Sequence, residues 1–278
     1  ICPAGSAEDA QADAPVNECM HISYLMEQAG DFDIIHNHFD FLPLTYSRLI
    51  STPVITTIHG FSSRKIVPVY QRYNDIVRYV SISNSDRHPA LCYTATVYNG
   101  VRTGDFPFEP QPLNYLLYYG RIHPDKGTHE AIQIALHCAR PLIIAGIIQD
   151  ESYYNEKVKP YVDNEQISYI GAVGGNRRSE LLGGALALLH PISFNEPFGL
   201  SVAEAMLCGT PVIAFNRGAM PELIRDGKTG FLVNNIQEAA ARIEDLGLIN
   251  RHDCHVHAKT HFSAETMTEQ YLEIYRST

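Results

Sequence analysis

Residues 185–206 read ALALLHPISFNEPFGLSVAEAM. Residues 185–190 form an apolar run of buried-strand length, which ends before Pro191. Pro197 donates no hydrogen bond, and a helical pattern opens around Gly199 or Leu200, giving a helix over 201–208. Glu196 sits in the loop just ahead of that helix. Glu204 comes about one turn inside it, with seven residues between the two carboxylates. An ionised carboxylate accepts two hydrogen bonds, which suits the vicinal hydroxyls of a ribose or hexose. The amides of Phe198, Gly199 and Leu200 can point at anionic or hydroxyl oxygens. The plainer reading makes Glu196 a charge that complements the helix dipole and Glu204 a solvated helix residue. But residues 201–208 are almost wholly apolar apart from Glu204, and a charge on so greasy a helix needs a partner, since unpaired burial is costly.

The same rhythm of apolar run, loop and helical pattern extends in both directions. Strands are predicted at 33–36, 54–59, 79–83, 96–98, 116–119, 142–145, 167–170, 185–190, 212–215 and 231–233. Most lack clean alternation, as strands buried on both faces do. Helices are predicted at 19–29, 69–78, 127–137, 179–185, 201–208, 237–246 and 264–276. Alternation of this kind argues for doubly wound α/β architecture. A break falls near residues 100–114, where the turn dipeptide Asn99-Gly100 is followed by three prolines within 103–112, and reads as an interdomain linker. Two Rossmann-like domains then face a cleft, and ligands of such sheets bind beyond the carboxyl ends of the strands.

One such junction is Leu116–Gly127, LLYYGRIHPDKG. Its strand ends at Gly120 and its helix opens near Gly127, with Arg121 and Lys126 in the short connection. Helix-start amides, a guanidinium fork and an ammonium point charge suit a diphosphate; the plainer alternative is two surface cations beside a turn. Residues 209–215, 218–224 and 226–233 read as caps, strand starts and a tight turn, hence architecture.

Twenty-one Lys+Arg against 31 Asp+Glu leave a net charge of −10, which argues against a broad basic face for nucleic acid. No apolar run approaches the ~20 residues of a membrane span. Six cysteines, none in CxxC spacing, read as reduced thiols of a cytoplasmic protein.

Together the motifs resemble those of the retaining glycosyltransferases of family 4, which have the GT-B fold. EPFGLSVAEAMLCGTPVIA carries the EX7E pattern of Glu196 and Glu204, and TTIHG, SISNSDRHP, VYNGV, GRIHPDKG and GAMPELIRDGKTGFLV follow the family's order. The resemblance covers about Asp31 to Arg276. It implies an N-terminal acceptor-side domain at 1–104 and a nucleotide-sugar-binding domain at 105–262. A C-terminal helix, 263–278, would pack back towards the N-terminal domain.

It further implies that Arg121 and Lys126 hold the donor diphosphate, that Glu204 holds the ribose, and that Glu196 meets the transferred sugar. The amides of Phe198, Gly199 and Leu200 would assist. His59 would reach the donor sugar near the reacting carbon, and the base would rest near Val173. The implied donor is a nucleoside-diphosphate sugar, UDP-glucose by preference, with no cofactor and no essential metal. The acceptor is a saccharide, lipid or small molecule. A non-catalytic nucleotide-sugar-binding protein and a GT-B phosphorylase or epimerase are the alternatives.

Ile1–Ser6 resembles the end of the family's second strand, so the expected N-terminal domain is incomplete by roughly 40 residues, one βαβ step. His36 and His38 share one side of a strand, and His252, Cys254, His255, His257 and His261 cluster. Metal binding is the sharper reading of each group, and a strand-end role or a polar loop and helix face the plainer one. Tyr70, Tyr73, Phe39 and Phe61 are candidates for stacking on an acceptor. Phe262, Met267, Tyr271, Leu272, Ile274 and Tyr275 read as core.

Overall fold

Ten strands form in the computed structural model, which describes residues 13–61 and 63–278; nine fall on expected runs, and the fourth, at Tyr93–Thr96, shares only Thr96 with the run expected at 96–98. Cys2 and Ile1–Ser6 lie outside the described residues. The strands form two sheets, parallel throughout. Each sheet belongs to its own compact unit.

The first unit comprises the chain to Ile82, Arg87–Val97 and Tyr271–Thr278. Its sheet sets β1 (Ile35–Asn37), β2 (Val54–Ile58), β3 (Val77–Ser81) and β4 (Tyr93–Thr96) side by side in chain order. Helix α1 (Ala14–Glu27) starts earlier than the apolar pattern suggested, because Asp13 caps it by accepting from the Val16 amide at 3.2 Å. Helix α2 spans only Val67–Arg72, so the expected helix at 69–78 is too long. Its final residues, Val77 and Arg78, open β3, where Val77 pairs with Val54.

Strand β2 is buried throughout even though it holds two threonines. Both hydroxyls are satisfied: Thr56 accepts from Asn37 at 3.2 Å and Thr57 bonds Tyr271 at 2.7 Å. Tyr70 and Tyr73 belong to the core with Ile22, Leu44 and Tyr79, so they are not free to stack on an acceptor. The Tyr70 hydroxyl donates to Asp40 at 2.6 Å.

The second unit comprises Ser83–Asp86 and Tyr98–Gln270. Its strands are β5 (Leu116–Tyr119), β6 (Leu142–Ala145), β7 (Ile167–Tyr169), β8 (Ala187–His190), β9 (Val212–Phe215) and β10 (Gly230–Val233). They lie in the order β10-β9-β8-β5-β6-β7. The chain runs outward from β5 to β7, then returns to lay β8 on the other side of β5. That reversal is the doubly wound signature.

The connecting helices are α3 (Thr128–His137), α4 (Glu151–Tyr153), α5 (Gly175–Gly184), α6 (Leu200–Leu207), α7 (Met220–Leu223), α8 (Ile236–Ile243) and α9 (Arg251–Phe262). Leu116, Leu117, Leu188 and Val212 have no exposed surface, each worth ~1.5–3 kcal/mol of burial.

Two expectations are corrected here. The proline-rich stretch, expected to link the domains, lies inside the second unit and is packed there. Glu109 bonds backbone to Cys208 at 3.0 Å, Leu113 bonds Gly184 at 2.8 Å, and Phe108 lies 5.2 Å from the His255 ring. The histidine-rich segment is helix α9 packed on α6, and its polar groups are used structurally. His255 Nδ1 bonds the Leu207 carbonyl at 2.5 Å and His257 Nε2 the Leu223 carbonyl at 2.8 Å. Among the described residues, no group of three or more His, Cys, Asp or Glu is placed to hold a metal ion. Nor is any helix long and apolar enough to cross a membrane.

The last helix, α10, is Ala264–Arg276, as its pattern suggested. Tyr271 and Ile274 are buried, but Leu272 is 41% exposed, since it falls on the outer side of the helix.

Candidate functional site

In the second unit the crevice of a doubly wound sheet falls between β5 and β8, where strand order reverses. The loop after β5 carries Arg121 and Lys126, and the loop after β8 carries Glu196. Backbone geometry clamps these loops together. Gly127 has φ +73°, and a Cβ there would run into the Pro191 carbonyl, so only glycine allows the approach. The Ser193 amide then donates to the Asp125 carbonyl at 3.0 Å. His123 stiffens the first loop by accepting from the Asp125 amide at 3.2 Å.

This clamp brings Lys126 Nζ to 2.5 Å from a Glu196 carboxylate oxygen. Nζ also lies 4.6 Å from the centre of the Phe194 ring, a cation–π distance. The two side chains are 17% and 15% exposed, so the pair is mostly withdrawn from water. Arg121 is exposed and is held elsewhere: its Nη1 donates to Gln149 Oε1 at 2.7 Å. Glu196 is fixed further by its carbonyl, which accepts from the Ala219 amide at 2.9 Å.

Gly199, φ +99°, precedes α6, and no side chain caps that helix. The Val202 amide already donates to the Gly199 carbonyl at 3.0 Å, so the orphan first-turn N–H groups are those of Leu200 and Ser201. Phe198 anchors this start, with its ring 6.1 Å from Tyr98 and 5.8 Å from Phe262, whereas the Leu200 side chain is 49% exposed.

Glu204 is 5% exposed, so the solvated reading is wrong. Its partner is Arg178 of α5, which the sequence reading missed. Arg178 lies 5.2 Å from the Phe106 ring and 5.4 Å from that of Tyr119. The Tyr119 hydroxyl in turn donates to the Val173 carbonyl at 2.8 Å. Glu204 Oε2 and Arg178 Nε are buried without partners, so acceptor and donor capacity remain on the pair. Arg178 and Glu204 line a cleft of about 880 Å³ with Asp105, Asn176 and Leu200. The two carboxylates therefore do not stand together. Each has its own cation.

Nearby, Glu222 accepts from the Asn84 and Ser85 amides at 2.8 and 2.7 Å and from the Tyr98 hydroxyl at 3.0 Å. This is the architectural role expected of its segment.

His190 ends β8 and is 7% exposed, with an unpartnered Nε2. Burial pushes its pKa down from 6.5 to about 4; Glu196 opposes the shift and Lys126 adds to it. Because the native value is the lower one, His190 costs no stability above pH 6.5. As pH falls from there towards 4, the unfolded chain takes up a proton that the native state refuses. Stability then declines by up to ~1.4 kcal/mol per pH unit. Urea denaturation of the wild type and His190→Gln between these pH values should show a shallower decline in the variant. Equal slopes would assign the acid sensitivity to other groups.

In the first unit, His59 follows β2 and Gly60, φ +108°, turns the chain immediately after it. His59 Nε2 lies 3.0 Å from His38 Nδ1. His36 and His38 do share a side, with ring centres 4.1 Å apart.

A family model described as "Glycosyl transferases group 1" matches residues 105–259. A glycogen synthase of Mycobacterium tuberculosis is 27% identical over 232 residues, 71% of this chain and 55% of that protein. A phosphatidyl-myo-inositol mannosyltransferase of Mycobacterium leprae is 27% identical over 249 residues, 81% and 66% of the two chains. The chain thus spans roughly half to two thirds of these curated relatives. The crystal structure of Anabaena HepE in complex with UDP-glucose has a TM-score of 0.76 at 20% identity, covering 92% of this chain and 82% of that one. At that identity the likeness is one of fold, that of a GT-B glycosyltransferase.

Proposed function

Because the chain belongs to the glycosyl transferases group 1 family, we propose that it is a retaining glycosyltransferase of family 4 that moves a hexose from a nucleoside-diphosphate sugar, UDP-glucose by preference, to a saccharide, lipid or small-molecule acceptor. The observation that carries this reading is the crevice at the strand reversal, where Lys126, Glu196 and the uncapped start of α6 converge. Relatives named as a glycogen synthase and a mannosyltransferase support the reaction class.

The donor diphosphate lies against Lys126, Arg121 exchanges Gln149 for it, and the amides of Phe198, Gly199 and Leu200 are offered to its oxygens or to the sugar. When the bond from C1 to the β-phosphate oxygen breaks, negative charge grows on the leaving diphosphate. A fixed ammonium, a guanidinium and helix-start amides stabilise that charge more than they stabilise the bound donor. These groups meet the electrostatic need without an essential metal. Glu204 Oε2 accepts from the ribose hydroxyls, and the base rests by Val173.

Glu196 meets hydroxyls of the transferred sugar, and His59 keeps the role that the resemblance implies, at that sugar. The acceptor oxygen bonds C1 on the face the diphosphate leaves, and its proton passes to a leaving phosphate oxygen. Neither carboxylate is assigned as a nucleophile: Glu204 is given to the ribose and Glu196 to hydroxyls of the transferred sugar. The proposed compartment is the cytoplasm.

Incubation of the full chain with a panel of radiolabelled sugar nucleotides and mixed acceptors tests this. Label transfer with retained anomeric configuration is expected. Binding without transfer or hydrolysis would favour a nucleotide-sugar-binding protein instead.

A further inference from the structure

Resting on that reading of His59, we propose that His38 is its positioning residue: His38 Nδ1 accepts a hydrogen bond from His59 Nε2, leaving His59 Nδ1 as the ring nitrogen with the free lone pair.

The geometry starts from strand register. β1 and β2 run parallel with His36 opposite Ile55. Side chains two apart share a face, so His36 and His38 on one strand meet Thr57 and His59 at the end of the next. Both cross-strand contacts form with the same offset. His36 Nε2 bonds the Thr57 hydroxyl at 2.8 Å, and His38 Nδ1 lies 3.0 Å from His59 Nε2.

The first contact immobilises the floor beneath the second. His36 is engaged at both nitrogens, since its Nδ1 bonds the Tyr275 hydroxyl at 2.5 Å. Thr57 is held again by Tyr271 at 2.7 Å. His38 stacks on this fixed ring at 4.1 Å between centres and takes the Tyr271 ring edge-on at 6.5 Å. His38 is thus held from below and presents Nδ1 sideways to His59.

Two ring nitrogens at 3.0 Å share one proton: two N–H groups would clash, and two lone pairs would repel. Neutral imidazole favours the proton on Nε2. With His59 as donor, both rings keep that form, whereas the reverse assignment forces both into the other. Burial, with the neighbouring His38 imidazole, holds His59 below its ordinary pKa, and burial does the same for His38. At neutral pH the pair is therefore one neutral donor and one neutral acceptor. The hydrogen bond at one nitrogen sets the role of the other, so His59 Nδ1 carries a lone pair able to accept a sugar hydroxyl proton.

Ring-nitrogen NMR of the histidine-labelled full chain at neutral pH tests this, with His59→Gln used to assign the resonance. In the wild type, His59 Nε2 should appear protonated and Nδ1 bare. His38→Asn, whose amide oxygen replaces the acceptor, should preserve that pattern. His38→Leu should move both His59 nitrogens towards tautomer-averaged positions. A bare Nε2 in the wild type, or an unchanged His59 spectrum in His38→Leu, overturns the proposal. The wild-type spectrum decides the tautomer even if His38→Leu does not fold.

With UDP-glucose as donor, His38→Leu should lower kcat about tenfold while KM moves much less, and His38→Asn should recover most of it. An unaltered kcat in His38→Leu also overturns the positioning role. If the wild type turns over no sugar nucleotide, the proposed activity fails, and the NMR result still decides whether His38 orients His59.

Discussion

Replacing Lys126 with methionine should cut release of UDP from UDP-glucose by about 10²–10³-fold, the scale found when one group aimed at developing charge is removed. Lys126 does two things at once, and they can be separated. It neutralises Glu196, whose side chain is 15% exposed, so its loss alone also costs folding stability, about 1–3 kcal/mol. In Lys126→Met with Glu196→Gln, no charge is stranded and most of that stability should return. Turnover should not return, because the ammonium that meets the diphosphate is still missing. Joint recovery of stability and turnover would make the pair a structural brace and remove it from the reaction.

The second large effect concerns stability. Arg178→Met strands the carboxylate of Glu204, whose side chain is 7% exposed, among the apolar residues of α6. Removing one partner of a buried ion pair costs about 3–5 kcal/mol. The 30% exposure of Arg178 itself places the result at the low end. Urea midpoints should fall accordingly at constant slope. Arg178→Met with Glu204→Gln should recover most of the loss, because a neutral amide is far cheaper to bury. A near-neutral Arg178→Met would mean that water or another donor already serves Glu204.

These two pairs mark what was legible in the sequence. The strands were readable because runs such as 116–119 and 142–145 are buried on both faces, and continuous apolar sequence has few other uses. Their ends were less so. Val77 and Arg78 extend an apolar pattern that fits a helix as well as a strand, and only pairing with β2 decides for β3. Helix α9 was hidden because its histidines blur any apolar face. Their partners are carbonyls of α6 and α7, which no local pattern reveals.

At the site, Glu204 announced that it needed a cation, since six of its seven companions in α6 are apolar. Nothing local said which cation: GNRRSE reads as a polar helix start, and Arg177 and Arg178 are equivalent until the fold turns Arg178 towards Phe106 and Tyr119. The Lys126–Glu196 pair was likewise invisible. Each residue stands in a ligand-binding pattern of its own, but their meeting depends on Gly127 passing the Pro191 carbonyl. Arg121, expected beside Lys126, is instead engaged by Gln149.

Calorimetric titration of UDP into the full chain and into Arg121→Gln with Lys126→Met addresses the diphosphate site most directly. The wild type should bind UDP, and the double variant at least about tenfold more weakly, the equivalent of one charge-assisted hydrogen bond. Equal affinity in the two proteins, or no binding of any nucleoside diphosphate by the wild type, would contradict the account.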